Sequence, residues 1–241
     1  MARHGRGKSQ KRISSSGTAH IAKKEATWTI KASPGPHSAA ESIPLGTVIR
    51  DVLHTARNSH EIKIILNKRS VSVDSVIRTS KKFPVGLFDV VAFSDSKKQF
   101  RVCLDRHGRF CLREIPAKSA AFKLVRVTGK RAAKGKKIQL QTNNGRVITI
   151  AAGQKTGIGD SLKISLPEQK ILESFALEKG NTVFVFRGAR LGATAEITDV
   201  LAGTIKRGKL VVLKPKEGNE FQTVAENVFV VGRQKPEIET E

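Results

Sequence analysis

The 241-residue chain carries 44 lysines and arginines against 21 aspartates and glutamates, a formal charge of +23. An excess of this size repels itself unless a polyanion or salt neutralises it, so the composition calls for a polyanionic partner. Two cysteines and the lack of any run near the ~20 apolar residues of a membrane helix exclude a disulfide scaffold and a helical membrane protein. The N-terminus lacks the apolar stretch of a secretory signal, so an intracellular setting is expected.

The charge is unevenly spread: +7 over residues 1–40, +6 over 41–115, +9 over 116–173 and +1 over 174–241. A general solubility device would not concentrate it this way. Aromatic residues are 5% of the chain and tyrosine is absent, so base stacking on aromatic platforms is poorly supplied.

Residues 1–41 are polar and rich in glycine and serine, which predicts an extended basic arm presenting Arg3, Arg6, Lys8, Lys11 and Arg12 to phosphates. Gly7-Lys8-Ser9 imitates the end of a P-loop, but Ala2 stands where the earlier glycine is needed and no strand precedes it. Trp28 and Ile30 are apolar exceptions that anchor the end of the arm on a partner or a domain, and Ser33-Pro34-Gly35-Pro36-His37 is a rigid turn.

From Leu45 the pattern becomes helical. Leu45, Val48, Ile49, Val52, Leu53 and Ala56 form one stripe at about 100° per residue, with Arg50, His54 and Arg57 on the other side. Asn58 followed by Glu61 reads as a capping box for a second helix, with Ile62, Ile65 and Leu66 inward. Val71 and Val73 then alternate with serines, and Asp74-Ser75 makes a glycine-free turn into Val76. This helix–helix–ribbon presents Arg50, Arg57, Lys63, Lys68, Arg69 and Arg78, followed by Lys81 and Lys82.

Phe83–Phe93 reads as a turn and an apolar strand. QFRVCLDRHGRFCLR, from Gln99 to Arg113, reads as a hairpin with Arg106, His107 and Gly108 as its loop. Val102, Leu104, Phe110 and Leu112 then share one face, with Arg101, Cys103, Arg109, Cys111 and Arg113 on the other. The cysteines are expected as adjacent free thiols, and His107 beside them lacks the fourth ligand and the spacing of a zinc site.

Residues 116–173 read as an all-strand domain. Lys130, Arg131, Lys134, Lys136 and Lys137 lie among glycine and alanine in a predicted cationic loop, and Asn143-Asn144-Gly145 closes a hairpin that places Ile138, Leu140, Ile148 and Ile150 on one face. Leu162, Ile164 and Leu166 alternate after Asp160. Residues 174–241 hold several short strands and glycine turns, as in a small barrel, with Arg187 and Arg190 in one turn. The last glutamates form a solvated acidic tail.

In this order the parts resemble the small-subunit ribosomal protein S-four of the archaeal and eukaryotic type, at archaeal length. The resemblance rests on GPH at Gly35–His37, VSVDSVIRT at Val71–Thr79, FPVGLFDV at Phe83–Val90, DRHGRF at Asp105–Phe110 and GNTVFVFRGARLG at Gly180–Gly192. Ser75, Arg187 and Ala195 depart from the residues common in that family. The resemblance implies a multidomain α+β chain. Its parts would be a basic arm (1–41), an S-four-like RNA-binding module with its following hairpin (42–115), a central β domain (116–173) and an SH3-like barrel with a KOW motif (174–241). Carried onto this sequence, the RNA-facing helix positions include Arg50, Arg57, Lys63, Lys68 and Arg69, and the KOW loop is Arg187 to Gly192.

The expected function is that of a cytoplasmic structural constituent of the small ribosomal subunit, binding its rRNA and neighbouring ribosomal proteins without cofactor, metal, membrane or small-molecule substrate. The rivals are an RNA-modifying enzyme and a transcription or translation factor built on the same modules. Neither a nucleophile elbow, a metal cluster nor a dinucleotide fingerprint occurs, and Asp89 and Asp105 are the nearest candidates for an isolated acid.

Overall fold

The first structural decision is made by three short sequence stretches that lock together. The computed structural model describes residues 9–19, 21–135, 137–151, 156–204, 207–215 and 218–238. The expected sites Arg3, Arg6, Lys8 and Lys136, the P-loop-like Gly7-Lys8 and the terminal Glu239 and Glu241 lie outside them. The chain is mostly β with a few short helices, and it divides into two compact units, Met1–Val102 with Arg109–Glu114, and Cys103–Gly108 with Ile115–Glu241.

In the first unit Ser42–Pro44 pairs antiparallel with Pro84–Gly86. Gly35 abuts Pro84, where a Cβ would come within 2.6 Å of the proline ring, and a Cβ on Gly86 would run into the His37 ring. The buried His37 Nε2 lies 3.0 Å from both Asp89 oxygens, and Asp89 also accepts from the Gly86 N–H at 3.0 Å. A carboxylate only accepts, so Nε2 carries the proton of this pair. The GPH and FPVGLFD stretches are therefore two halves of one buried polar lock, and Asp89 is occupied by the fold.

The first helix is shorter than its hydrophobic stripe predicts. Leu45–Thr47 is α-helical, Val48–Val52 forms a wider π-type turn in which the Leu53 N–H donates to the Val48 carbonyl, and His54 is left-handed (φ 52°). The wide turn carries Val48, Ile49 and Ala56 inside and leaves Val52 and Leu53 half-buried. Gly46 and Thr47 are buried as well, because Gly46 is pressed between Ile30 and Lys81.

The second helix, Ser59–Asn67, follows its sequence signals closely. Asn58 accepts from the backbone N–H groups of His60 and Glu61, while the Glu61 carboxylate accepts from the Arg57 N–H rather than from that of the cap residue. Ile62 and Leu66 point inward and are fully covered. Asp74 (φ 51°) and Ser75 (φ 63°) close the two-residue turn between Val73 and Val76, the pair of left-handed residues that a type I′ hairpin needs. Asp74 can bear that strain because it is tied to Val90 through its own N–H and through its carboxylate.

The ribbon heads a five-stranded sheet ordered Val76–Ile77, Val71–Val73, Val90–Phe93, Lys98–Leu104, Phe110–Glu114. Gly108 is left-handed in the hairpin loop, and Cys103 and Cys111 form no disulfide. The face opposite Val102 and Leu104 is buried as well. Arg101 and Cys103 are as buried as Val102, each at 1% exposure, because Lys98–Leu104 is an inner strand covered on both sides.

The described part of the predicted arm is folded back rather than extended. Gln10–Lys11 pairs with Trp28–Thr29, Ala19 and Ile21 are buried, and Ser33 donates to the Lys82 carbonyl.

The second unit holds two antiparallel five-stranded sheets. One runs Val147–Ala151, Lys137–Thr142, Phe122–Ala133, Ser161–Ser165, Ile171–Phe175, around a core of Val125, Val127, Leu140, Ile150, Leu162 and Ile164. The pairs Ile138 with Ile150 and Leu140 with Ile148 are those expected from alternation. The other runs Phe221–Val224, Leu210–Pro215, Thr194–Leu201, Thr182–Val185, Val228–Gly232.

Candidate nucleic-acid interface

The sequence-predicted cations separate into those used by the fold and those it presents. Arg12 is of the first kind, a correction to its expected place in a phosphate-facing arm. It is 5% exposed; its Nη1 donates to the Ala22 carbonyl (2.7 Å) and Glu25 (3.2 Å), and its Nη2 to Asp51 (3.4 Å). In the second unit the buried Arg126 donates to the Ala225 carbonyl at 3.2 Å. Loss of water around its guanidinium lowers its pKa, against the raising effect of Glu226.

Around the helical pair, His54, Arg57, Lys63, Lys68, Arg69 and Lys82 are exposed. Arg50 is only partly so, gripping Asp51 through Nε (3.2 Å) and Nη2 (2.8 Å), which leaves it less net charge to offer. Arg78 lies over the Phe83 ring at 4.2 Å, and the Lys81 ammonium donates to Ser59 at the start of the second helix. These contacts hold the basic heads in place, so less side-chain entropy is lost when they meet a phosphate. Lys11, on the two-stranded ribbon, is exposed.

The predicted cationic loop is an ordered hairpin. Phe122–Ala133 continues past a bulge between Val127 and Gly129, and pairs Lys130 with Leu140, Arg131 with Gln139 and Ala133 with Lys137 before turning at Lys134 and the left-handed Gly135. Lys130 donates to the Thr156 carbonyl at 3.0 Å, while Arg131, Lys134 and Lys137 stand in solvent. Strand pairing gives these charges fixed spacing, which a loop would not.

Arg187 and Arg190 lie on the exposed connection from Thr182–Val185 to Thr194–Leu201, over Phe186 (5.7 Å) and Phe221 (5.3 Å) respectively. Gly192 is left-handed, and a Cβ there would fall 2.9 Å from both the Arg106 Cα and the Asp105 carbonyl. Gly108 approaches Leu191 in the same way. The hairpin tip thus brings the exposed Arg106 beside the Arg187–Gly192 turn. Sequence reasoning left Arg106 out of the interface; the signal was a glycine in each turn, Gly192 leaving room for the Asp105–Arg106 backbone and Gly108 for the Leu191 side chain.

Among the described residues no group of three or more His, Cys, Asp or Glu could hold a metal ion, and no helix is long and apolar enough to cross a membrane. Asp105 caps its own turn through the Arg106 N–H, so neither it nor Asp89 stands as an isolated acid.

The family model described as Ribosomal family S4e matches residues 96–171. The small ribosomal subunit protein eS4 of Methanosphaera stadtmanae is 42% identical over 238 residues, covering 99% of this chain and 98% of its own. The chain belongs to the S4e family. The eS4 protein of Korarchaeum cryptofilum is 34% identical, with 98% of each chain covered. The crystal structure of the 30S ribosomal protein S4e from Thermoplasma acidophilum superposes with a TM-score of 0.70 at 28% identity, over 82% of this chain and 99% of that one. The S4e-matched stretch contains Arg106 and the cationic hairpin.

Proposed function

We propose that this S4e chain is a structural constituent of the small ribosomal subunit, binding rRNA and supporting its folding and assembly beside neighbouring ribosomal proteins in the cytoplasm. It makes and breaks no bond. The observation that carries this reading is the nearly end-to-end relation to small-subunit proteins, which includes the stretches bearing the exposed cations. The mechanism is electrostatic and geometric: ordered cations replace the counterions of the phosphate backbone, and the entropy of counterion release drives binding. Paired RNA hides its major-groove edges, so shape and 2′-hydroxyl contacts outweigh base reading.

In this reading residues 42–115 act as the S-four-like docking module and 116–173 as the central β domain. Residues 174–241 form the SH3-like barrel, whose KOW loop is Arg187 to Gly192, and 1–41 supply a basic arm. The phosphate contacts are Arg3, Arg6, Lys8, Lys11, His54, Arg57, Lys63, Lys68, Arg69, Lys82, Arg131, Lys134, Lys136, Lys137, Arg187 and Arg190, to which Arg106 is added. Arg50, Arg78, Lys81 and Lys130 contribute through their outward edges, and Arg12 is withdrawn. Tagged chain expressed in cells should remain with small subunits through high-salt sucrose sedimentation. Release into the soluble fraction, or recovery with RNA polymerase, would overturn the assignment.

A further inference from the structure

The folded-back arm encloses a cleft of about 580 Å³ against the start of the first helix, a size that suits a small planar ligand. Trp28, the chain's single tryptophan, lines it and is 56% exposed. That exposure is not the fraying of a loose end: Trp28 is paired to Lys11 across the ribbon, and Ile30 is packed against Gly46. Lys11 and Lys31 stand in the same wall. Thr47, 1% exposed, also lines the cleft, and its Oγ1 has no hydrogen-bond partner within the protein. A hydroxyl buried in this way is unfavourable unless a polar group reaches it.

An aromatic plane, two cations and a buried hydroxyl in one cleft match the parts of a nucleotide: a base to stack, a phosphate to neutralise, and a base edge or sugar to hydrogen-bond. A base inside a duplex is already stacked on both faces and cannot present its plane to Trp28. Resting on the rRNA reading above, we propose that this cleft takes up an unpaired nucleotide of the RNA, stacked on Trp28 with its phosphate between Lys11 and Lys31. The low aromatic content then limits stacking to a single point, and the remaining contacts stay electrostatic.

With one tryptophan and no tyrosine, the protein's intrinsic emission reports Trp28 alone. The full chain is titrated with a short single-stranded oligoribonucleotide and with a blunt duplex of the same length, following Trp28 emission and, separately, the anisotropy of labelled RNA. The single strand should quench the emission as it binds, and the duplex should bind without quenching. Trp28→Ala should weaken single-strand binding by about 5- to 150-fold, the worth of one stacked base, and leave duplex binding unchanged. Thr47→Val, which keeps the shape and removes the hydroxyl, should weaken it in the same direction by less. Single-strand binding with unaltered emission and no effect of Trp28→Ala would sink the cleft and spare the rRNA reading. Failure of both RNAs to bind would overturn that reading and this inference with it.

Discussion

The helical pair of the first unit and the Phe122–Thr142 hairpin of the second both present basic side chains, but they fix them by different means. Around the helices each partly buried cation is held by a side chain, Arg50 by Asp51, Arg78 by Phe83 and Lys81 by Ser59. On the hairpin the backbone ladder sets the spacing, and Arg131, Lys134 and Lys137 need no partner to stay in place. The first device depends on the buried core beneath it. The second depends on strand register, so the two should respond differently to core damage and to loss of charge.

Core damage in the first unit should have the largest effect. Leu45→Ala or Ile62→Ala, each removing a fully buried side chain, should cost about 2–5 kcal/mol of stability, measured by thermal or urea unfolding followed by circular dichroism. A loss below about 1 kcal/mol would mean the site collapses around the cavity and the helices are not held from beneath. Next comes Asp89→Ala, which strands the buried His37 Nε2 and Gly86 N–H. It should destabilise by about 2–4 kcal/mol, and a neutral result would remove the His37–Asp89 lock from the account. Smaller again is Asn58→Ala, about 1 kcal/mol for the lost cap of the second helix.

Much of the first unit was legible because its signals are local. Asn58 and Glu61 lie within one helical turn, and the spacing from Val71 to Val76 defines the ribbon and its turn. The GPH and FPVGLFDV stretches carried the family resemblance, but nothing in their composition says that Gly35 meets Pro84 or that His37 meets Asp89 across some fifty residues. Arg12 was misplaced for the same reason, its partner Asp51 being 39 residues away. The first helix is shorter than its stripe because an apolar pattern over Leu45–Ala56 does not distinguish a 3.6-residue turn from a wider one, and nothing marks His54 as left-handed. In the hairpin, glycine, alanine and lysine obscure the alternation that would have shown the strand running on to Ala133.

The least damaging changes to the fold should be the most damaging to function. Replacing Arg57, Lys63 and Lys68 together by alanine, or Arg131, Lys134 and Lys137 together, should alter stability by no more than about 0.5 kcal/mol per site, since all six side chains are exposed. Unfolding curves that coincide with wild type would check this before any binding experiment.

The central claim is that these exposed cations meet RNA phosphates. It is tested most directly by the dependence of small-subunit rRNA affinity on salt, plotted as log K against log salt concentration for the wild type and the two triple variants. Each lost phosphate contact should flatten the slope by about 0.7–0.9, so each folded triple variant should lie about 2 to 3 below the wild type in magnitude. A slope equal to wild type in both folded variants would contradict the claim.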